Sequence, residues 1–511
     1  MGLIPINKQE KYDRQLRLWA SSGQTRLEHS SVLVCQPTIT SLELLKNLVL
    51  PGIGHFTILD TARSVSERDL AANFYLRDDD IGKDWAETVV KNLGELNEDV
   101  ESEVIHVKDM DDWWVEVTQD FWANYDLVIM PYEYQRALRD LYELNIPTIV
   151  INTVGFYGYM RVVTQEFEVV ETHPETLLDL RVLNPWPELK EYVDGIKMEG
   201  MSVETQSQVP YLVIQMKALD RWKSDHGGAI PKTSAEKEEF KKLIQSWRME
   251  YGQANFDEAI DNARKMFIQT KVRSNVEDIF NKLPQKFFEA NKITPFWLLV
   301  KALKQFVDKN DGFLPLKGEL PDMDSSTDQY IGLQNIYRSK AESDLESFKS
   351  ELQSVLTSLD TAQEFTETEI RTFVKNANHL FFSTNTSIAL NDTNFSQVIS
   401  GYMSDAAVVL LAYLLIESHI LEHHTFPHLS SLDVLLDKSH QYFLMEDTHK
   451  LANVLYEMLR SEGVELGNTT ALMGGIGGQE AIKLITKQYI PLDNVLVFDG
   501  LRSVTEKWKI E

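Results

Sequence analysis

The chain has 511 residues, 43% hydrophobic and 25% charged, and its 50 Lys and Arg face 78 Asp and Glu for a formal net charge of −28. Such an acid surplus argues against nucleic-acid binding, because neutralising phosphates requires Lys and Arg. One cysteine excludes a disulfide framework and a cysteine-based zinc cluster, and fits a reducing cytosol or nucleus. The N-terminus reads as too polar for a secretory signal, and no apolar run approaches the roughly 18 residues that mark a membrane span.

The length accommodates roughly two to four domains. Residues 11–26 predict a helix in which Tyr12, Leu16, Leu18 and Trp19 alternate with Arg14, Arg17 and Arg26. It precedes the first strand and is therefore an appendage to the sheet. A buried strand follows over 31–35, then a helix over 41–50 stopped by Pro51-Gly52. A second strand over 55–59 ends in Asp60. This is the first βαβ turn of a nucleotide-binding domain, in which an acid at the end of the second strand holds the ribose. Yet the loop Gln36-Pro37-Thr38-Ile39-Thr40 has no glycine to bring backbone amides against a phosphate. Thr40 and Glu43 fit a capping box that would occupy the helix amides with protein side chains.

Strands over 103–107, 127–130 and 148–152 alternate with helices over 85–96 and 135–144, which predicts a doubly wound, parallel α/β sheet. The turn Gly155-Phe156-Tyr157-Gly158 leads to a sixth strand over 159–163. Helical periodicity then dominates, with helices predicted over 235–247, 255–270, 294–307, 328–356, 405–423 and 449–460. After Gly467 a helix and a strand over 495–498 return to the α/β pattern. The expected organisation is an α/β domain (1–166), a helical insertion (167–461) and an α/β completion (462–511).

Several constellations invite chemistry. Gly474-Gly475-Ile476-Gly477-Gly478 resembles a phosphate loop but fits neither the dinucleotide nor the P-loop spacing; small residues that let a helix pack closely are the better account. His419, Glu422 and His423 match an inverted His-x-x-Glu-His pattern with no identifiable third ligand, so no metal site is expected. Cys35 ends a buried strand without a basic neighbour in sequence and reads as inert. Arg14 is the permanently charged, fork-shaped donor that an arginine finger requires, although sequence pattern does not separate it from a surface arginine.

Tyr12-Asp13-Arg14-Gln15-Leu16, Pro51-Gly52-Ile53-Gly54, Asp60, Asn73 and Asp80-Ile81-Gly82-Lys83 together resemble the ubiquitin-activating enzyme superfamily. Gly474-Gly475 to Glu480, Lys483 and Thr486 resemble the end of the same adenylation domain. Asp179-Leu180-Arg181, Ile230-Pro231-Lys232-Thr233, Pro321-Asp322-Met323 and Tyr337-Arg338, with Gly158-Tyr159-Met160-Arg161, are similar to regulatory, non-cysteine subunits of the neddylation-activating enzyme.

The resemblance implies a heterodimer with a cysteine-bearing catalytic subunit that activates the modifier Nedd/Rub. Alternatives are a SUMO-activating regulatory subunit or a self-sufficient homodimeric adenylating enzyme. In active members an Asn-x-x-Arg-Gln arginine, an Ile-Gly-x-x-Lys-Ala lysine and a magnesium Asp serve ATP. Here these positions fall on Leu76, Trp85 and Met130-Pro131-Tyr132, and a second acid beyond Asp60 is Ala62. The resemblance therefore implies no cofactor on this chain, with ATP and magnesium bound by the partner. Arg14 would reach in trans to the partner's ATP phosphates. No membrane partner is expected, and the implied location is cytoplasm or nucleus.

Overall fold

The computed structural model describes residues 6–71, 73–174, 178–267, 271–288, 293–384, 405–442 and 448–510. Two compact units emerge, one formed by residues 1–169 with 382–511 and the other by 170–381.

The first unit is built on an eight-stranded sheet. Its strands are β1 (Ser31–Cys35), β2 (His55–Thr61), β3 (Glu101–Val107), β4 (Leu127–Met130), β5 (Thr148–Val154) and β6 (Tyr157–Val163), completed from the C-terminal segment. A short ribbon pairs β7 (Glu166–Val169) with β8 (Phe381–Thr384), and β9 (Val495–Asp499) and β10 (Val504–Trp508) close the main sheet in the order β10-β9-β6-β5-β4-β1-β2-β3. The run β3-β2-β1-β4-β5 is parallel, as expected. The other three strands, β6, β9 and β10, extend this run by antiparallel pairing. Only Gly155 and Phe156 separate β5 from β6, and so short a connection can only reverse the chain. All seven residues of β5 are buried, which explains its unbroken apolar text.

The expected insertion boundary at 461 moves to 381. The helix Asp405–His423 places Val409, Leu410, Leu415 and Ile416 in the same core as Leu33, Val128, Tyr159 and Val497. This helix is long and apolar enough to cross a membrane, yet 56% of its most apolar window is buried in the fold. Its first half is apolar on every side because it packs between the sheet and the helix His449–Arg460, whose Leu451, Leu455 and Leu459 share the core. The glycines of the helix Gly467–Thr486 act as read from sequence. A Cβ on Gly474 would lie 2.5 Å from Glu43 Cβ, and one on Gly478 2.6 Å from Asn47 Cβ, so the helix Ile39–Val49 can approach only this side.

The second unit is helical. Tyr211–Asp225, Ser234–Ser246, Ala254–Asp261 and Thr327–Ser358 bury Leu212, Phe240, Phe256, Leu333 and Tyr337 in one core. The helix predicted over 255–270 divides into Ala254–Asp261 and Ala263–Met266, and its last three positions lie outside the described residues. Asn262 marks the division; its side chain donates to the Glu258 carbonyl, the local competition that disfavours asparagine inside helices.

Candidate functional site

In a sheet ordered β3-β2-β1-β4-β5, connections leave in opposite directions from β1, and ligands bind at the C-terminal ends of β1 and β4. Here that crevice is filled from within. Gln36, directly after β1, takes φ 45° without being glycine, and its side-chain oxygen accepts from the Tyr134 hydroxyl. Tyr134 stacks on Trp114 with ring centroids 4.0 Å apart, and Tyr132 lies beside it at 6.4 Å. Burial pushes the Tyr132 hydroxyl up to about 12 and Tyr134 higher still, so both remain neutral donors.

The N-terminus of the helix Ile39–Val49 is where a phosphate would meet free amides. Glu465 occupies it. Its two carboxylate oxygens accept from Ile39 N at 2.7 Å and Thr40 N at 3.0 Å, and from Thr40 Oγ1 at 2.6 Å and Thr153 Oγ1 at 3.3 Å. Burial raises the Glu465 carboxyl while these hydrogen bonds hold it down. The expected Thr40–Glu43 capping box is thereby corrected. Thr38 is the N-cap, reciprocally bonded with Ser41, because Thr40 is turned inward to Glu465. Glu43 instead accepts from Tyr75 Oη at 3.2 Å and pairs with Lys46.

Asp60 is buried at the end of β2, as the ribose-acid position requires, but it is already engaged. It accepts from Thr61 N at 2.8 Å and lies 3.6 Å from Arg63 Nε; burial raises its carboxyl against both. Arg63 also pairs with Asp69 at 2.7 Å and stacks on Trp85, 4.1 Å from the ring centroid. Trp85 thus supplies an internal cation–π surface where the resemblance places the lysine that serves ATP in active members. Leu76 is buried, and Asn73 uses its Oδ1 to accept from Tyr75 N. An adenine nucleotide with magnesium does not fit this end of the sheet: glycines are absent, and the helix amides already hold a carboxylate that would repel phosphate.

Sequence reasoning missed a buried charge network beside the crevice. Glu133 accepts from Arg161 Nη1 at 2.6 Å and from Tyr159 Oη at 2.8 Å, and its N–H donates to Glu417. Arg161 is 1% exposed and stays charged through Glu133; Glu417 is pushed well above the carboxylate range by burial and by Glu133. The only signal was a charge set inside an apolar run, Arg161 in YMRVV.

Arg14 presents the opposite geometry. The helix Asp13–Glu28 is anchored ahead of it by Tyr12, which is 1% exposed; its hydroxyl donates to Asp99 and accepts from Asn97, each at 3.1 Å. Gly52, at φ 86°, leaves room for that hydroxyl, which would be 2.5 Å from any Cβ placed there. Beyond Arg14 the helix breaks at Trp19-Ala20, and the Leu18 and Trp19 carbonyls accept from Tyr489 Oη and Gln488 Nε2. Between these anchors Arg14 is exposed. Asp13 pairs with Arg17 at 2.9 Å, so Arg14 has no hydrogen bond or ion pair among the described residues.

Cys35 is fully buried and its thiol is pushed far up by desolvation, so it has no thiolate to offer. His419 and His423 lie with ring centroids 4.4 Å apart, Glu422 pairs with Lys438, and no group of three or more metal-ligating side chains gathers among the described residues.

A filled, Rossmann-like adenylation fold is the class these features define, and the ThiF family model matches residues 12–511. Relatives align end to end. The NEDD8-activating enzyme E1 regulatory subunit of Xenopus laevis is 33% identical over 100% of both chains, and that of Drosophila melanogaster is 34% identical over 98% of both. The regulatory subunit AXL of Arabidopsis thaliana is 34% identical over 96% of this chain and 97% of its own. The chain belongs to the ThiF family and, within it, to the NEDD8-activating enzyme E1 regulatory subunits.

Proposed function

We propose that this chain works as the non-adenylating half of a heterodimer. A cysteine-bearing catalytic subunit binds ATP and magnesium, adenylates the C-terminus of the ubiquitin-like modifier and carries the thioester. This chain contributes the fixed half of the dimer and extends Arg14 in trans to the partner's ATP phosphates. There the guanidinium would offset charge developing on the pyrophosphate leaving group without joining the covalent chemistry. The observation that carries this reading is the contrast between two groups in one unit. Glu465 takes the amides that a nucleotide of its own would need, while Arg14 stands anchored on the surface with no ion pair among the described residues.

The test is ATP–pyrophosphate exchange by the copurified heterodimer. Arg14→Ala is expected to lower the exchange rate by about 10²–10³-fold, the size of one lost transition-state donor, with the dimer intact by gel filtration. An unchanged rate in an intact dimer sinks the trans-arginine role. Exchange by the isolated chain would point instead to a self-sufficient adenylating enzyme.

A further inference from the structure

The second unit contains a cavity of about 1030 Å³. It is lined by Lys223, Lys232, Lys237, Lys265, Lys271 and Arg181, and by no Asp or Glu among its described lining residues. This is the reverse of the chain as a whole, whose net charge is −28. Arg181 is neutralised by Asp179 at 2.6 Å, but none of the five lysines has an ion pair or a side-chain hydrogen bond among the described residues.

Two of the acids near these lysines in sequence are committed elsewhere. Asp225 pairs with Arg221 at 2.9 Å, and Glu236 accepts from Lys232 N and Thr233 N to cap the helix Ser234–Ser246. Packing unpaired cations around one concavity raises their mutual repulsion, and a bound anion removes it. The cavity also has an apolar side. Lys237 lies 5.6 Å from the Phe267 ring, and Arg181 and Lys271 lie 4.5 and 5.7 Å from the Phe313 ring, so aromatic faces steady several of the cations. Three stretches that carry the family resemblance, at Arg181, at Ile230-Pro231-Lys232 and at Pro321, meet at this cavity. The nucleotide crevice of the other unit uses none of them.

We propose that this cavity binds a compact, multiply phosphorylated small molecule whose ring or carbon body rests on the apolar side while its phosphates bridge the lysines. Lysine ammoniums are point charges on flexible stems, which suits clustered phosphates in several orientations better than one bidentate carboxylate. The volume matches a small-molecule site rather than an extended polymer track. An inositol polyphosphate, a nucleoside polyphosphate and inorganic polyphosphate share this chemistry, and affinity distinguishes them.

The experiment is isothermal titration of the full-length chain with inositol hexakisphosphate, magnesium-free ATP and inorganic tripolyphosphate, at low and at moderate salt. At least one probe is expected to bind at one site, and more weakly as salt rises; the tightest identifies the source. Lys265→Gln and Lys271→Gln are each expected to weaken it by about tenfold, the effect of one charge-assisted contact. Lys→Arg at the same positions should retain most of the affinity. Lys309→Gln, which removes an exposed pair with Glu351 outside the cavity, should leave affinity unchanged. Because these lysines are exposed, the ligand-free melting temperature should not fall. Three results overturn the proposal: no binding of any probe at low salt, binding indifferent to both Lys→Gln changes, or an oligoglutamate peptide binding more tightly than every phosphate.

Discussion

The switch-point crevice of the α/β unit and the lysine cavity of the helical unit handle charge in opposite ways. At the crevice every charged group is answered from within the fold: Glu465 by helix amides and two threonines, Asp60 by Arg63, Arg161 by Glu133. In the cavity five lysines lack a carboxylate partner among the described residues. A crevice filled by side chains leaves no void, because they make the hydrogen bonds a ligand would make and keep the sheet edge satisfied. Cations left unanswered describe a different condition, one that a solute can complete.

Removing a partner from the crevice is the most direct way to break this contrast. Arg161→Met would strand Glu133 and Glu417 in the core, and about 3–5 kcal/mol of stability should disappear from the α/β unit. Chemical denaturation followed by Trp114 and Trp122 fluorescence would register it; a loss below about 1 kcal/mol would mean the pair is not buried as described.

Glu465→Ala is expected to cost less, about 1.5–3 kcal/mol for hydrogen bonds to a charged group. It also sharpens the comparison, because it turns the crevice into an unanswered site like the cavity. Sulfate should then restore part of the lost stability in the variant and none in the parent; equal responses would show that the carboxylate is not what holds the amides.

The smallest expected effects are opposite pH slopes. Glu417, raised by burial and by Glu133, binds its proton more tightly folded than unfolded. Its stabilisation is full below the unfolded carboxylate value and is lost as pH rises through the raised one. His379 in the helical unit is lowered from 6.5 to about 4 by burial, Arg273 and Lys317. Its contribution is full above pH 6.5 and is lost as pH falls towards 4, in reduced measure because the ring is partly exposed. Thermal melts across pH should therefore show the α/β unit weakening on the alkaline side and the helical unit on the acid side. Glu417→Gln and His379→Gln should each flatten only its own slope. A helical unit that keeps its acid loss after His379→Gln would assign that loss elsewhere.

Much of the fold was legible because short-range chemistry writes it. Continuous apolar runs gave β1, β4 and β5, Pro51-Gly52 ended the helix before β2, and the glycines at 474–478 foretold a close helix contact that Glu43 and Asn47 now confirm. The missing phosphate glycines and the tryptophan at position 85 were equally visible, since an absent residue type needs no coordinates. The three antiparallel strands were less so, although the two-residue link Gly155-Phe156 carried the information for β6.

Long-range placement was not legible. Nothing local to Glu465 says that it travels 426 positions to reach Ile39 N. Nor does anything local to Asp405–His423 say that its apolar surface covers the sheet instead of joining the helical unit. The five lysines are scattered from 223 to 271 among acids, and only their convergence on one cavity sets them apart. By itself the sequence determined which elements form and which ligand groups are missing, because propensity, periodicity and residue chemistry act over a few positions. The tertiary structure alone decided what replaced those groups and where charge was left unpaired, because burial and Coulomb interactions depend on distance in space and ignore distance along the chain.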